Sequence, residues 1–362
     1  MKGTGGALCI PVRAALIATL TVIVAALSGC GETTAAKARE SLTLRYASPY
    51  GPTHPFSRGD AAWIDYVERA SNGWLRIEPY WGGSLMDEGD SVRELAAGVA
   101  DVSYVLPIYQ RAGAHFIRGQ TPFYDGAVDM QLQNEVMLSL WEEFPQMRAE
   151  LEAVKPLVVT GGSFLEVMTR EKPVRTLADL RGLRLRAPAE ITVVLDELGV
   201  DAEFMPMGEV YSALAKGTID GVIAPIDTLK AMRFAEVVKY CTLVSIARGA
   251  YFSRAMNLAS WQRLSPDLQA IVTASIPVWT DAVIDEITAA HTAGMQLAKE
   301  RDVQFIRLPD SDMERFRAIY ARMAQRSADA LEARGLPGQA AYDRARRLIA
   351  ASRAAQVSTS AP

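Results

Sequence analysis

The chain has 362 residues, with 38 Lys or Arg against 42 Asp or Glu and a formal charge of −4 at neutral pH. This mildly acidic balance argues against nucleic acid as a partner, because phosphate backbones require a basic face. Only three histidines and three cysteines occur. None sits at a metal-ligand spacing, so no metal site and no cofactor is expected.

The N-terminus places Lys2 and Arg13 ahead of a mostly apolar run from Ala14 to Leu27. That run is too short to cross a hydrocarbon core of about 30 Å and has the make-up of a signal-peptide core. It ends in Leu27-Ser28-Gly29-Cys30, the pattern of a lipobox. Residues 1–29 are therefore expected to be a lipoprotein signal peptide, with Cys30 carrying the lipid. The chain is expected to be exported and anchored on the periplasmic or extracellular side of a membrane. Cys9 falls in the signal, and Cys241, in VVKYCTLVSI, reads as a buried thiol, so no internal disulfide is expected.

Residues 30–41 are small and polar and read as a tether. Leu42 to Ala47 alternates as a first strand. The turn Ser48 to Pro55, with Tyr50 and His54, leads into a helix over Phe56 to Ala70. Trp74 to Tyr80 reads as a second strand, Glu88 to Ala97 as a helix stopped by Gly98, and Asp101 to Leu106 as a third strand. This βαβαβ rhythm implies parallel strands in an α/β lobe. A helix is expected from about Val128 to Phe144, a strand from Leu157, and a second βαβ set over Leu165 to Ile226. Pro266 to about Glu300 has a long helical pattern with a kink expected at Pro277. Residues 350–362 lack apolar periodicity and are expected to be disordered.

The most informative stretch runs from Gly182 to Pro225. Leu183 and Leu185 alternate with Arg184 and Arg186, a half-buried strand that Pro188 ends. Ligands of open α/β sheets sit beyond the carboxyl ends of the strands. A guanidinium there offers a planar fork matched to a carboxylate. Next come an amphipathic helix with Ile191, Val194, Leu195 and Leu198, then MPMGEVYSALAKG, which opens a helix at Gly208 and closes it at Gly217. The strand IDGVIA ends at Pro225. No GxSxG elbow, P-loop or dinucleotide fingerprint appears, so a catalytic reading has no positive support. His54, in the first turn, is a candidate to face a ligand, whereas His291 reads as a surface or interlobe residue.

In this order the segments resemble the solute-binding receptors of TRAP (tripartite ATP-independent periplasmic) transporters, DctP type. Members of that family carry a GLKIRVP-like strand, a PMxxxEVYxAL-like helix and a GxVDGxENP-like strand. LTLRYASPYGPTHP, SNGWLRIEPYWGGSL, ELAAGVADVSY and LSPDLQAIV also match the family's pattern, so the resemblance covers roughly residues 42–310. It implies an α/β, two-lobed periplasmic-binding-protein-like (type II-like) fold with a hinge and a long connecting helix. One lobe would comprise 42–160 plus about 250–290, the other 161–249 plus about 291–335. It implies a receptor rather than an enzyme, which hands a small organic acid to membrane permease subunits.

The resemblance makes Arg186 the residue that binds the solute carboxylate. Three positions depart from the pattern of sialic-acid and dicarboxylate receptors. The asparagine before the strand-ending proline is Ala224, the frequent second arginine is Glu166, and the polar position ending the third strand is Leu106. Each unsatisfied buried polar group costs about 1–3 kcal/mol, and Ala224, Leu106 and Met207 cannot satisfy the hydroxyls of a sugar acid. A compact, largely apolar monocarboxylate is therefore expected, aromatic acids included, with Tyr50, Tyr104 and Tyr211 as candidate walls. Glu166 either pairs with Arg186 or another cation, or binds an ammonium or amidinium. The latter would make the solute a zwitterion such as an amino acid or an ectoine-like compound. A receptor for an ABC or sensory system, and more remotely an exported lipoprotein hydrolase, are the other readings.

Overall fold

The computed structural model describes residues 41–359 except 111, 189, 190 and 206. The expected signal peptide, the lipidation site Cys30 and nearly all of the tether lie outside the described residues. β1 (Leu42–Ala47), α1 (Pro55–Ala70), β2 (Leu75–Tyr80), α2 (Ser91–Ala96) and β3 (Val102–Tyr104) form the βαβαβ rhythm read from the sequence. Then come α3 (His115–Gly119), α4 (Met130–Glu143), α5 (Pro145–Ala149) and β4 (Val154–Gly161). The second set comprises β5 (Leu165–Thr169), β6 (Arg184–Arg186), α6 (Thr192–Glu197), β7 (Asp201–Glu203), α7 (Met207–Lys216), β8 (Gly221–Pro225), α8 (Thr228–Ala231) and β9 (Tyr240–Ile246). The chain closes with β10 (Ala250–Asn257), α9 (Leu258–Arg263), α10 (Pro266–Glu300), β11 (Gln304–Arg307), α11 (Asp310–Glu332) and α12 (Gly338–Thr359).

Among the described residues the strands form a five-stranded sheet, β2-β1-β3-β10-β4, and a six-stranded sheet, β11-β9-β5-β8-β6-β7. In the first, β1 runs parallel to β2 and β3, while β10 is antiparallel to β3 and β4. In the second, β6 is parallel to β7 and β8, so their carboxyl ends point the same way. Both sheets are covered on two faces. Leu44 and Tyr46 pack with Trp63 and Trp279 on one side of the first sheet, and Ala47 and Tyr104 join the core on the other. Leu185 and Ile223 face one core of the second sheet, and Val222, Ala224 and Cys241 the other. Double burial requires strands that are apolar throughout, which is how GVIAP reads.

Two strand connections link the lobes side by side. β4 passes into β5 and β9 into β10, with Ala250 paired to Gly161 on one side and Leu165 to Ile246 on the other. Between them the Gly162 amide donates to the Gly249 carbonyl (2.9 Å). Gly249 has φ +77, and a Cβ on it would come within 2.8 Å of the Tyr124 ring. Only glycine occupies such a position without strain. α10 makes the third crossing, packing on α1 in one lobe and α8 in the other. It runs as one helix through Pro277.

The C-terminus departs from expectation. Instead of disorder from residue 350, α12 continues to Thr359. Ala341, Tyr342, Ala345 and Ile349 are buried against the first lobe. Once packing has nucleated the helix, the Ala-rich continuation propagates it at little cost. Residues 360–362 lie outside the described set.

Candidate functional site

Arg186 is the last residue of β6 and only 5% exposed. Its Nε donates to the carbonyl of Met205, 3.2 Å away. Arg184, two residues earlier on the same strand, is committed to Asp220 at 2.8 Å and to the Gly217 carbonyl at 2.9 Å. Of the two alternating arginines, one thus locks the base of the strand while the other stands at its carboxyl end.

The first lobe presents aromatic rings. Tyr50 stacks on His54 (centroids 4.2 Å apart) and meets Tyr104 edge-on at 5.2 Å. Tyr104 and Leu106 share a small pocket with Ser48, Ser103 and Glu88 at the carboxyl ends of β1 and β3. Beneath Tyr104 lies Arg254, its guanidinium 4.5 Å from the ring centroid. Arg254 and its partner Asp60 are both wholly buried, 2.9 Å apart. Asp60 also accepts from Tyr46 Oη (2.5 Å) and Trp279 Nε1 (2.8 Å). A buried pair survives only with such added hydrogen bonds, and here they fix β1, α1, β10 and α10 under the tyrosine wall.

Several expected site residues have other work. His54 is the N-cap of α1, its Nδ1 accepting from the Phe56 amide. Burial brings its pKa down to about 4, so the ring is neutral. Among the described residues Glu166 pairs with neither Arg186 nor another cation. Its Oε2 accepts from the amides of Val244 (2.6 Å) and Ser245 (2.9 Å). A bulge in the β5–β9 pairing and the left-handed Ser245 (φ 51) aim those amides at it. Desolvation nevertheless raises its pKa. The Ala224 side chain is fully enclosed in the second-lobe core. Tyr211 donates to Glu236 (2.9 Å) and lies under Arg233 (5.5 Å), and among the described residues no contact links it to the Tyr50–Tyr104 cluster. Met207 is half-buried against the same core as Ala224.

The sequence reading missed Arg248, at the β9–β10 crossing. Its Nη2 donates to Tyr109 Oη at 3.1 Å. Its charge acts on Tyr50, Tyr104, Tyr251, Glu88 and Asp227, from both lobes. A cavity of about 560 Å³ lies elsewhere, among Phe123, Tyr342, Arg346 and Arg353. Exposed arginines on α12 rim it and leave it open to solvent, so it lacks the enclosure of a solute site.

The model of the bacterial extracellular solute-binding protein family 7, DctP, matches residues 47–330. The chain belongs to the DctP family. Among its relatives is the C4-dicarboxylate-binding periplasmic protein DctP of Rhodobacter capsulatus, 22% identical over 67% of this chain and 73% of that protein. A monocarboxylate 2-oxoacid-binding periplasmic protein of Nostoc is 31% identical over 57% of each chain. In fold the chain resembles a TRAP solute binding protein from Rhodoferax ferrireducens, solved with copurified benzoate. That likeness has a TM-score of 0.78 and 24% identity, and covers 87% of this chain and all of the other.

As a DctP-family member the chain is a TRAP-type extracytoplasmic solute receptor with two lobes, not an enzyme. Among the described residues no helix is long and apolar enough to cross a membrane. Arg186 was legible because family pattern and strand alternation both mark it. Arg248 sits in IARGA, where no periodicity distinguishes it, and Glu88 stands at the expected start of a helix that in the structure begins only at Ser91.

Proposed function

We propose that this receptor captures a small, largely apolar monocarboxylate, aromatic acids included, in the interlobe cleft, with Arg186 as the carboxylate fork. The observation that carries the reading is a buried guanidinium at the carboxyl end of β6, whose charge reaches Glu88 on the tyrosine-lined side of the other lobe. A guanidinium inside a closing cleft binds a carboxylate through charge-assisted bonds, while Tyr50, Tyr104 and Tyr251 offer flat apolar area. The benzoate of the Rhodoferax protein and the monocarboxylate name of the Nostoc relative support this class. The backbone amides on Glu166 Oε2 weigh against the zwitterion alternative. We further propose that Cys30 carries a lipid anchor and that the loaded receptor delivers its solute to TRAP permease subunits.

A thermal-shift screen over aromatic monocarboxylates, 2-oxo monocarboxylates, C4-dicarboxylates, sugar acids and amino acids tests the reading. A ligand at a hundredfold excess over its Kd adds about 2.7 kcal/mol of stability, an easily seen shift. Monocarboxylates should give the largest shifts. A response confined to amino acids or to sugar acids would refute the proposal.

A further inference from the structure

α12 gathers positive charge on a chain that is acidic as a whole. It carries Arg344, Arg346, Arg347 and Arg353 against Asp343 alone, while the full chain has a formal charge of −4. Arg344 is committed to Glu143 at 3.1 Å and to Ser139 at 3.0 Å. The other three line the cavity of about 560 Å³, and among the described residues none of them forms an ion pair. Phe123, Tyr342 and Ile349, buried in the first-lobe core, supply its apolar floor. The Arg346 guanidinium lies 5.6 Å from the Tyr342 ring centroid, so cation and ring stand side by side. Two carboxylates share the lining. Asp343 accepts from Gln339 Nε2 at 3.1 Å, and Asp125 lies in the field of Arg353 and of Arg317 on α11. Four guanidinia thus stand against two carboxylates. α12 also lies beyond residues 47–330, so this cavity is not part of the pattern that the family model matches.

We propose that this cavity is a second ligand site, separate from the solute cleft, which takes an amphiphilic organic anion. The acidic head would sit on Arg346 and Arg347 and the apolar body on Phe123, Tyr342 and Ile349. A guanidinium pairs with a carboxylate, sulfonate or phosphate through charge-assisted bonds, and the unpaired state of both arginines means that no internal partner has to be displaced. The volume falls within the range of about 300–1,000 Å³ usual for small-molecule sites. None of Arg186, Tyr50 and Tyr104 lines the cavity, so occupancy here does not compete with solute capture. The open side leaves room for a chain that continues past the apolar floor.

A pair of fluorescent probes on the full chain tests this: anilinonaphthalene sulfonate, an aromatic anion, and phenylnaphthylamine, the same body without the acid. The sulfonate should bind saturably and more tightly than the neutral probe, and added salt should weaken the sulfonate alone. Arg346→Ser/Arg347→Ser should weaken the sulfonate by about tenfold or more and leave the neutral probe unchanged. Arg344→Ser, which removes a charge paired outside the cavity, and Arg186→Ala should both retain native binding. Equal sulfonate affinity in the native chain and the double variant, or its loss in Arg186→Ala, overturns the inference. Octanoate, a free acid, and vesicles of phosphatidylglycerol, an anionic lipid, are then offered as competitors. Displacement by either supports the site and tells from which source the anion comes, and displacement by neither overturns it.

Discussion

Asp227 lies two residues beyond β8 and is buried, and its Oδ1 has no hydrogen-bond partner among the described residues. Desolvation pushes its pKa up to about 6, with Arg248 opposing only in part. The folded state thus holds this proton more tightly than the unfolded chain. Its contribution to stability is present at low pH and is lost as pH rises from the ordinary carboxyl range through about 6. Asp227→Asn keeps the shape and removes the ionisation. The melting-temperature gain of this variant over the native protein, measured without solute, should be clearly larger at pH 7.5 than at pH 4.5. An equal difference at both values would contradict the assignment. His54 works in the opposite direction, since its pKa is lowered and protonation destabilises the fold as pH falls towards about 4. Both proteins share that effect, so the difference isolates Asp227. At this scale the sequence marks charged residues on regular elements and not those brought together by the crossing. Glu166 shows the limit: its sequence position fits the family's second arginine, but a bulge and one left-handed residue assign it to backbone amides.

Elements were more legible than individual side chains. β1 and α10 have the bounds that their periodicity indicates, because each keeps one pattern over its full length and α10 opens on a Ser265 cap. α12 was hidden because its buried face is sparse and small, with Ala341 and Ala345 among its buried apolar residues. Gly294 gives α10 its close approach to the second lobe. A Cβ there would lie 2.4 Å from the Ile226 carbonyl oxygen and 3.2 Å from the Asp227 Cα. Both are backbone atoms, so relief requires the helix or the β8–α8 turn to move. Gly294→Ala should cost about 1–3 kcal/mol in denaturant melts, as overpacking does. Gly208→Ala in α7, with nothing within 4 Å of its Cβ position, should be neutral or slightly stabilising. Equal effects of the two substitutions would show that α10 does not depend on that contact.

At the scale of the whole molecule, the recognisable feature was the order of weak segments, each ordinary alone. Their succession from β1 to α10 reads as a DctP receptor, and the family model over residues 47–330 bears this out. How the lobes meet was not legible, since the paired crossings at Gly162 and Gly249, and the tyrosines and arginines gathered around them, depend on contacts far apart in sequence. On the proposed reading, those contacts make Arg186 one pole of the cleft. The most direct test of the account is calorimetric titration of the native chain and of Arg186→Ala with benzoate. The native protein should bind one equivalent, and the variant, folded by circular dichroism, should lose about 2–5 kcal/mol of binding free energy. Equal affinity in a correctly folded Arg186→Ala protein would contradict the role given to this arginine.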